Sequence, residues 1–410
     1  MSLWSWRSRV TPAAWRAFAA AYLGWMLDGF DFTMLTFVLT DIAGTFTINS
    51  ALAGALGTVT LLSRLLGGIG AGAASDRWGR KWPLAASIFW YAGFAFLSGF
   101  SPTYGALFGL RALFGIGMGG VWTAGMPLAI EHWPQDLRGK VSGMLQSGFS
   151  AGFILAAVAV HYGGPLIPDP TLRWRVMLWL GLLPVLLGLW VWRRVDESPI
   201  WLARQRERAH EAPRPGLSRL FARDLIGTTL HTSLVTAAFL CLYYAITFWY
   251  PTLLGHLGRP PLGFLVMLNL GTILGNVIWG HVSETRAGRR GAATMAGLGA
   301  VASMPFFVLA SSTPALLFGA VMIGVWGAGS FGLVPGYLNE RFPTDSRALG
   351  AGFTYHVGAA CSSVMPLAIG ALVDRGFGLA SAMGLGIAAS GLASAATIWL
   401  GPETRGRALQ

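Results

Sequence analysis

Apolar stretches long enough to cross a bilayer, roughly 20 residues each, recur twelve times along this chain. They lie near 17–40, 51–74, 82–100, 104–130, 139–162 and 174–195, then near 226–254, 261–283, 291–310, 314–339, 348–373 and 379–400. A soluble core cannot absorb so many. The composition agrees: 54% of the 410 residues are hydrophobic and only 11% are charged, less than half the roughly 25% typical of soluble domains. That balance excludes a cytosolic enzyme and a disordered chain. The two cysteines, Cys241 and Cys361, both fall inside apolar runs and build no secreted disulfide framework. Transmembrane strands would be near 10 residues long with alternating polarity, and nothing here reads that way. The expected class is an all-α membrane protein with twelve transmembrane helices.

The charges give the orientation. With the N-terminus inside, four basic residues face out (Arg173, Arg175, Arg259 and Arg375) and two fall within spans (Arg64 and Arg111). The remainder of the 29 lie inside, the asymmetry of the positive-inside rule. The net charge of +12 is thereby a topology signal and not the footprint of a nucleic-acid partner. The expected location is the bacterial cytoplasmic (inner) membrane, as a multi-pass protein with both termini cytoplasmic. The first run follows Arg7, Arg9 and Arg16 but contains Asp28 and Asp31, so it is expected to be a retained span and not a signal peptide.

The chain also repeats itself. Glu131-His-Trp-Pro134-Gln-Asp136-Leu-Arg138 returns 209 residues later as Glu340-Arg-Phe-Pro343-Thr-Asp345-Ser-Arg347. Gly72-x-x-x-Asp76-Arg77-x-Gly79-Arg80-Lys81 has a worn counterpart in Gly280-x-x-x-Glu284-Thr-Arg286-Ala-Gly288-Arg289-Arg290. Asp196-Glu197-Ser-Pro after the sixth run is loosely answered by Pro402-Glu403-Thr404 after the twelfth. Three matches in register divide the chain into two six-helix pseudo-repeats. The expected organisation is an N-terminal bundle over 1–195, an arginine- and proline-rich cytoplasmic linker over 196–225, and a C-terminal bundle over 226–410.

Two such halves, with Gly72-x-x-x-Asp76-Arg77-x-Gly79-Arg80-Lys81 between the second and third spans, resemble the major facilitator superfamily over the whole chain. Within it, Leu27-Asp28-Gly29-Phe30-Asp31-Phe32, Ser63-Arg64, Arg111-x-x-x-Gly115-x-Gly117-Met118 and Gly352-Phe353-Thr354-Tyr355 are similar to the sialate:proton symporters, a group that includes lactate permeases. Members similar to bacterial sialic-acid permeases often have Gly-Glu-Tyr where this chain has Gly120-Val121-Trp122, and Asn where it has His356. The resemblance implies the major facilitator fold and alternating access. It also implies a gate in which Asp76, Arg77 and Arg80 join helix ends while Glu131 and Arg138, with Glu340 and Arg347, form interhelical ion pairs.

A proton-coupled carrier needs a group within the membrane that changes protonation, near a substrate site at the midplane. Ionisable residues there are costly, about 2.5–3.5 kcal/mol each, which makes Asp28, Asp31, Arg64 and Arg111 candidates by default. Asp28 and Asp31 stand one helical turn apart, and close carboxylates in a poorly solvated site resist joint ionisation. They are the proton-coupling candidates. Alternatively they form fixed ion pairs with the arginines. Arg64 and Arg111 offer planar forks that fit a carboxylate; Arg111, near the outer end of its span, could instead snorkel. Trp122, Gln146, Tyr243, Tyr244, Asn269, Asn276, Tyr355 and His356 supply further substrate contacts. Gln146 stands 209 residues before Tyr355, so the repeat gives the two equivalent places.

Two short motifs mislead. Gly148-Phe-Ser150-Ala-Gly152 matches a hydrolase elbow, and Gly115-x-Gly117-x-x-Gly120 a dinucleotide fingerprint. Both lie inside apolar spans, where those chemistries lack their strand–turn–helix context. The expected protein is therefore no enzyme and holds no metal or cofactor, with a proton as coupling ion. Its partners are an organic acid substrate and the lipid bilayer; no nucleic acid is expected, and the state is a monomer. The expected function is proton-coupled import of an organic acid anion, either a monocarboxylate such as lactate or a sialic-acid-type sugar acid. The alternative is a proton-coupled antiporter exporting drugs or metabolites.

Overall fold

A computed structural model describes residues 5–207 and 216–409; residues 208–215 of the expected linker lie outside the described residues. All regular structure among the described residues is helical. Twelve long helices follow one another: α1 Pro12–Phe46, α2 Ser50–Trp78, α3 Lys81–Ser98 and α4 Tyr104–His132. Then come α5 Gln135–Leu166, α6 Pro170–Arg194, α7 Ile226–His256, α8 Pro261–Val282, α9 Gly288–Val308, α10 Thr313–Arg341, α11 Arg347–Asp374 and α12 Leu379–Trp399. Ten of the twelve are long and apolar enough to cross a membrane by length and composition. The others fall short for visible reasons: α1 carries Asp28 and Asp31 in mid-helix, and α3 is short and opens with Lys81 and Pro83.

Helix α1 is longer than the expected 17–40. Its 35 residues rise about 52 Å, well beyond a hydrocarbon core of ~30 Å. Thr11 starts it, accepting the Ala14 N–H on its hydroxyl at 3.2 Å, with Pro12 in the first turn where a missing N–H costs nothing. It stops where Thr47 turns left-handed, at φ 51°.

Helices are interrupted in both halves: in the first, α6 passes through a 3-10 stretch, Leu180–Leu182, before Pro184–Arg194 resumes. In the second half α7 breaks before Tyr250–His256, which carries Pro251 in its first turn. Helix α10 passes through a 3-10 stretch, Ala328–Leu333, before Val334–Arg341 resumes with Pro335. Helix α11 pauses at Ser363 and resumes with Pro366 in the next stretch. Each proline lacks an N–H, so it opens a new helical segment more readily than it continues an old one. Their repeat partners α1, α4 and α5 run unbroken, even though α4 contains Pro127.

By packing, the chain forms two compact units, and neither is one continuous segment. Unit 1 comprises Met1–Pro134, Ala151–Arg219 and Pro343–Phe353; unit 2 comprises Gln135–Ser150, Leu220–Phe342 and Thr354–Gln410. The start of α11 thus belongs with unit 1 and the first half of α5 with unit 2. In unit 1, α4 packs closely on both α2 and α3 through the glycines that mimic a dinucleotide fingerprint. A side chain at Gly115 would run into the Thr60 carbonyl of α2, and one at Gly117 would come within 2.7 Å of the Tyr91 nitrogen of α3. Small residues of this kind let transmembrane backbones touch. Unit 2 closes around an apolar core that includes Leu242, Tyr250, Leu268, Phe307, Ile323 and Ile387.

Candidate functional site

Four charged side chains lie in the interior of unit 1. Asp28 and Asp31 come from α1, Arg64 from α2 and Arg111 from α4. Asp28 and Arg111 are fully buried, and Asp31 and Arg64 nearly so. The Arg64 guanidinium lies 3.8 Å from an Asp28 carboxylate oxygen and 5.0 Å above the Trp25 ring. Arg111 is within electrostatic reach of Asp31 and sits 4.9 Å over the Phe114 ring. Its burial removes the snorkelling alternative for Arg111. Neither oxygen of Asp28 accepts a hydrogen bond from the described residues, and none of the Arg111 guanidinium nitrogens donates one. Charges buried with so few partners are costly and respond strongly to a change of one proton. Gly181 of α6 approaches Asp31 closely, since a Cβ there would stand 3.2 Å from its carboxylate. Trp122 is buried in the same unit.

In unit 2 the candidate residues are polar or aromatic. Tyr243 and Tyr244 meet edge to face at 5.7 Å, Tyr355 and His356 at 4.9 Å, and Phe331 lies 6.2 Å from Tyr355. Tyr355 and His356 are buried. Asn269 spends its amide on its own helix, donating to the Leu265 carbonyl at 2.9 Å, which is a packing role. Asn276 is buried beside Gly332, where an added Cβ would stand 3.0 Å from its side-chain oxygen. The side-chain oxygen of Gln146 is buried and accepts no hydrogen bond from the described residues.

The repeated motifs build two buried ionic networks at helix ends. In unit 1, Arg80 grips Glu131 with two parallel bonds of 3.1 and 3.0 Å. It also donates to Asp76 at 3.0 Å and to the Thr344 carbonyl at 2.9 Å. Arg347 reaches the same Glu131 at 2.7 Å. The Asp76 carboxylate accepts the backbone N–H groups of Ala348 and Leu349 at 3.1 and 2.9 Å, so it caps the first turn of α11. Desolvation disfavours the charged form of Arg80, but the Glu131 and Asp76 carboxylates outweigh it and hold its pKa above the usual value. Arg77 is exposed and lies 5.5 Å over the Trp78 ring.

Unit 2 repeats the pattern. Arg289 grips Glu340 at 3.2 and 2.7 Å and reaches Glu284 at 3.0 Å. Glu284 accepts the N–H of Gly139 near the start of α5, as Asp76 does for Ala348. Arg138 donates to the Arg407 carbonyl at 3.1 Å.

Five members of these networks were not among the expected site residues. Glu284, Arg289, Glu197 and Glu403 are visible in the sequence as the worn parts of the repeat. Thr344 acts through its backbone and leaves no signal. Glu197 accepts the N–H groups of Arg80 and Lys81 at the head of α3, at 2.8 and 3.1 Å, and Glu403 those of Arg289 and Arg290 at 3.0 and 3.1 Å.

Partial burial works against the Glu403 carboxylate, but the N–H groups of Arg405, Arg289, Arg290 and Thr404 overcome it and lower its pKa. A depressed folded-state pKa means that its stabilisation is present above the unfolded value, roughly 4.3, and is lost as pH falls through the folded one. Glu403→Gln should therefore lower the thermal midpoint in detergent at neutral pH, with the gap to the parent closing as pH drops below roughly 4. A pH-independent gap would mean that the carboxylate's charge is irrelevant.

A family model described as Major Facilitator Superfamily matches residues 21–366. The probable 4-methylmuconolactone transporter of Cupriavidus pinatubonensis is 32% identical over 412 residues, covering 100% of this chain and 95% of that protein. The sialic acid transporter NanX of Escherichia coli is 30% identical over 372 residues, covering 88% of each. Among solved structures, the proton:xylose symporter XylE bound to 6-bromo-6-deoxy-D-glucose matches with a TM-score of 0.77 at 19% identity, covering 97% of both chains. That likeness is one of fold.

Proposed function

Because this chain belongs to the major facilitator superfamily, we propose that it is a proton-coupled symporter importing a small organic acid anion by alternating access. It is a multi-pass membrane transporter and not an enzyme. Its place is the cytoplasmic membrane with both termini inside, and its coupling ion is the proton.

The observation that carries the proposal is the set of two aspartates and two arginines buried together in unit 1. With all four ionised the set is neutral. Protonating Asp28 or Asp31 leaves one guanidinium uncompensated, and a guanidinium keeps its charge at any working pH. An organic carboxylate restores the balance. Proton and anion therefore favour each other's binding, and linkage makes the effect mutual, typically 1–3 kcal/mol. A monoanion entering with one proton moves no net charge, so a pH gradient alone can drive it.

The substrate is a compact acid with little hydroxyl decoration. Within unit 1, Val121 and Trp122 of α4 stand beside the charged set as apolar groups and add no hydroxyl partners. The relative named for 4-methylmuconolactone matches this chain over its whole length, which supports the same choice over a sialic-acid-type sugar acid. Asp76, Arg80, Glu131 and Arg347, with Glu284, Arg289 and Glu340, serve as the cytoplasmic gate.

The test is uptake into proteoliposomes with an acid exterior, comparing labelled lactate, 4-methylmuconolactone and sialic acid. Uphill accumulation of a small acid that collapses with a protonophore is the expected result. Accumulation only when the gradient is reversed would replace symport with the antiport alternative.

A further inference from the structure

Tyr91 carries none of the roles assigned above, yet it stands against the charged interior of unit 1. It is fully buried in α3, and its hydroxyl makes no hydrogen bond with the described residues, although a buried phenol normally finds a partner. Its position is fixed from two sides. The ring meets Phe114 edge-on at 6.0 Å, and Phe114 in turn lies under the Arg111 guanidinium at 4.9 Å. Behind it, the Tyr91 backbone abuts Gly117 so tightly that α4 admits no side chain there.

Both Asp28 and Asp31 are within electrostatic reach of the phenol. The charged groups around them are those two carboxylates from α1, Arg64 from α2 beside Asp28, and Arg111 from α4 facing Asp31. Helix α6 approaches Asp31 through Gly181.

We propose that Tyr91 is a positioning residue for coupling, a hydroxyl bridge through which Asp28 and Asp31 share a single proton. A hydroxyl is suited to this because it donates and accepts at one atom, and since it bonds neither carboxylate directly the bridge runs across one water on each side. The step balances without any co-reactant. A proton leaving the Asp31 carboxyl arrives on the phenolic oxygen as the phenol's own proton passes to the Asp28 carboxylate. The uncompensated positive charge moves from beside Arg111 to beside Arg64, so the attraction for an anion shifts along α1 by about one helical turn, roughly 4.5 Å. The proton first accepted at one aspartate is thereby registered at both arginines.

The inference rests on the symport reading, and the experiment separates the two. Tyr91→Phe keeps the ring and its contacts and removes only the bridge. In proteoliposomes its pH-driven uptake of the acid carried by the parent should be slower by about 100-fold or more, with a displaced pH profile. Counterflow exchange at equal pH, which needs no net proton movement, should stay within about two-fold of the parent, the scatter expected of a neutral change. Unchanged pH-driven uptake with an unchanged pH profile would overturn the bridge while leaving symport standing. Equal loss of counterflow and driven uptake would reduce Tyr91 to a packing residue and also overturn it. A parent protein that ignores the pH gradient would overturn the symport reading, and the bridge with it.

Discussion

Glu131→Ala is expected to lower stability by about 3–5 kcal/mol, the usual cost of leaving a buried partner charge uncompensated. The side chain is wholly excluded from solvent. It is the shared partner of Arg80, at 3.1 and 3.0 Å, and of Arg347, at 2.7 Å, and both arginines are themselves fully buried. Removing it leaves two like charges facing each other in a dry site, with Asp76 the remaining carboxylate within 3.0 Å of Arg80. Unfolding followed in mixed micelles would report the loss. Glu131→Gln should show most of it, because the shape is kept and the charge is not. A change below about 0.5 kcal/mol, the scale of an ordinary surface substitution, would mean that water reaches the site and that the network is not dry. Arg347→Met should be milder than Glu131→Ala, since Arg80 continues to neutralise the glutamate. The two together form a double-mutant cycle in which the coupling is read directly.

The second large effect concerns Asp28. Asp28→Asn should abolish uphill accumulation in a pH gradient, with the acid ending at equal concentration on both sides, while counterflow exchange survives. An amide keeps the shape and the proximity to Arg64 but cannot take up or release a proton. The substitution also makes the interior permanently positive, so exchange should become less sensitive to acid. Uphill uptake equal to that of the parent would remove Asp28 from coupling and leave Asp31 as the candidate. Asp31→Asn, measured beside it, tests whether the two aspartates act as one unit, in which case their effects would be far from additive.

The helical count and the two-fold repeat are legible in the sequence because a bilayer imposes a length. A run of some 20 apolar residues has few other uses. What breaks those helices is less legible. Pro251, Pro335 and Pro366 each sit in the first turn of a resumed segment, whereas Pro127 lies within an unbroken α4. Whether a proline ends a helix depends on what its neighbours offer the freed carbonyl, and that is a property of packing.

The ionic networks were half legible. The repeat marks Glu131, Glu340, Arg138 and Arg347 as a set, but it makes Arg138 and Arg347 equivalent, so it cannot say which of them Glu131 meets. In the structure it meets Arg347, 216 residues away. Arg111 shows the same limit from another side. Its position along the span allows a side chain that bends outward, while the fold turns it into the bundle over Phe114. Tyr91 gave no signal at all, because a tyrosine in an apolar run is unremarkable until the helix carrying two aspartates is placed beside it.

The cap that Asp76 gives to α11 has a further consequence. The first amides of a helix have no acceptor within their own helix, and those of Ala348 and Leu349 are satisfied by a carboxylate from α2. When the ends of α2 and α11 separate, these two hydrogens lose their acceptor and become free to trade with solvent. On the proposed gating role of this network, their deuterium uptake is a native clock for gate opening. It needs no attached probe and no substitution, and on the same proposal it should slow under any condition that keeps the gate shut.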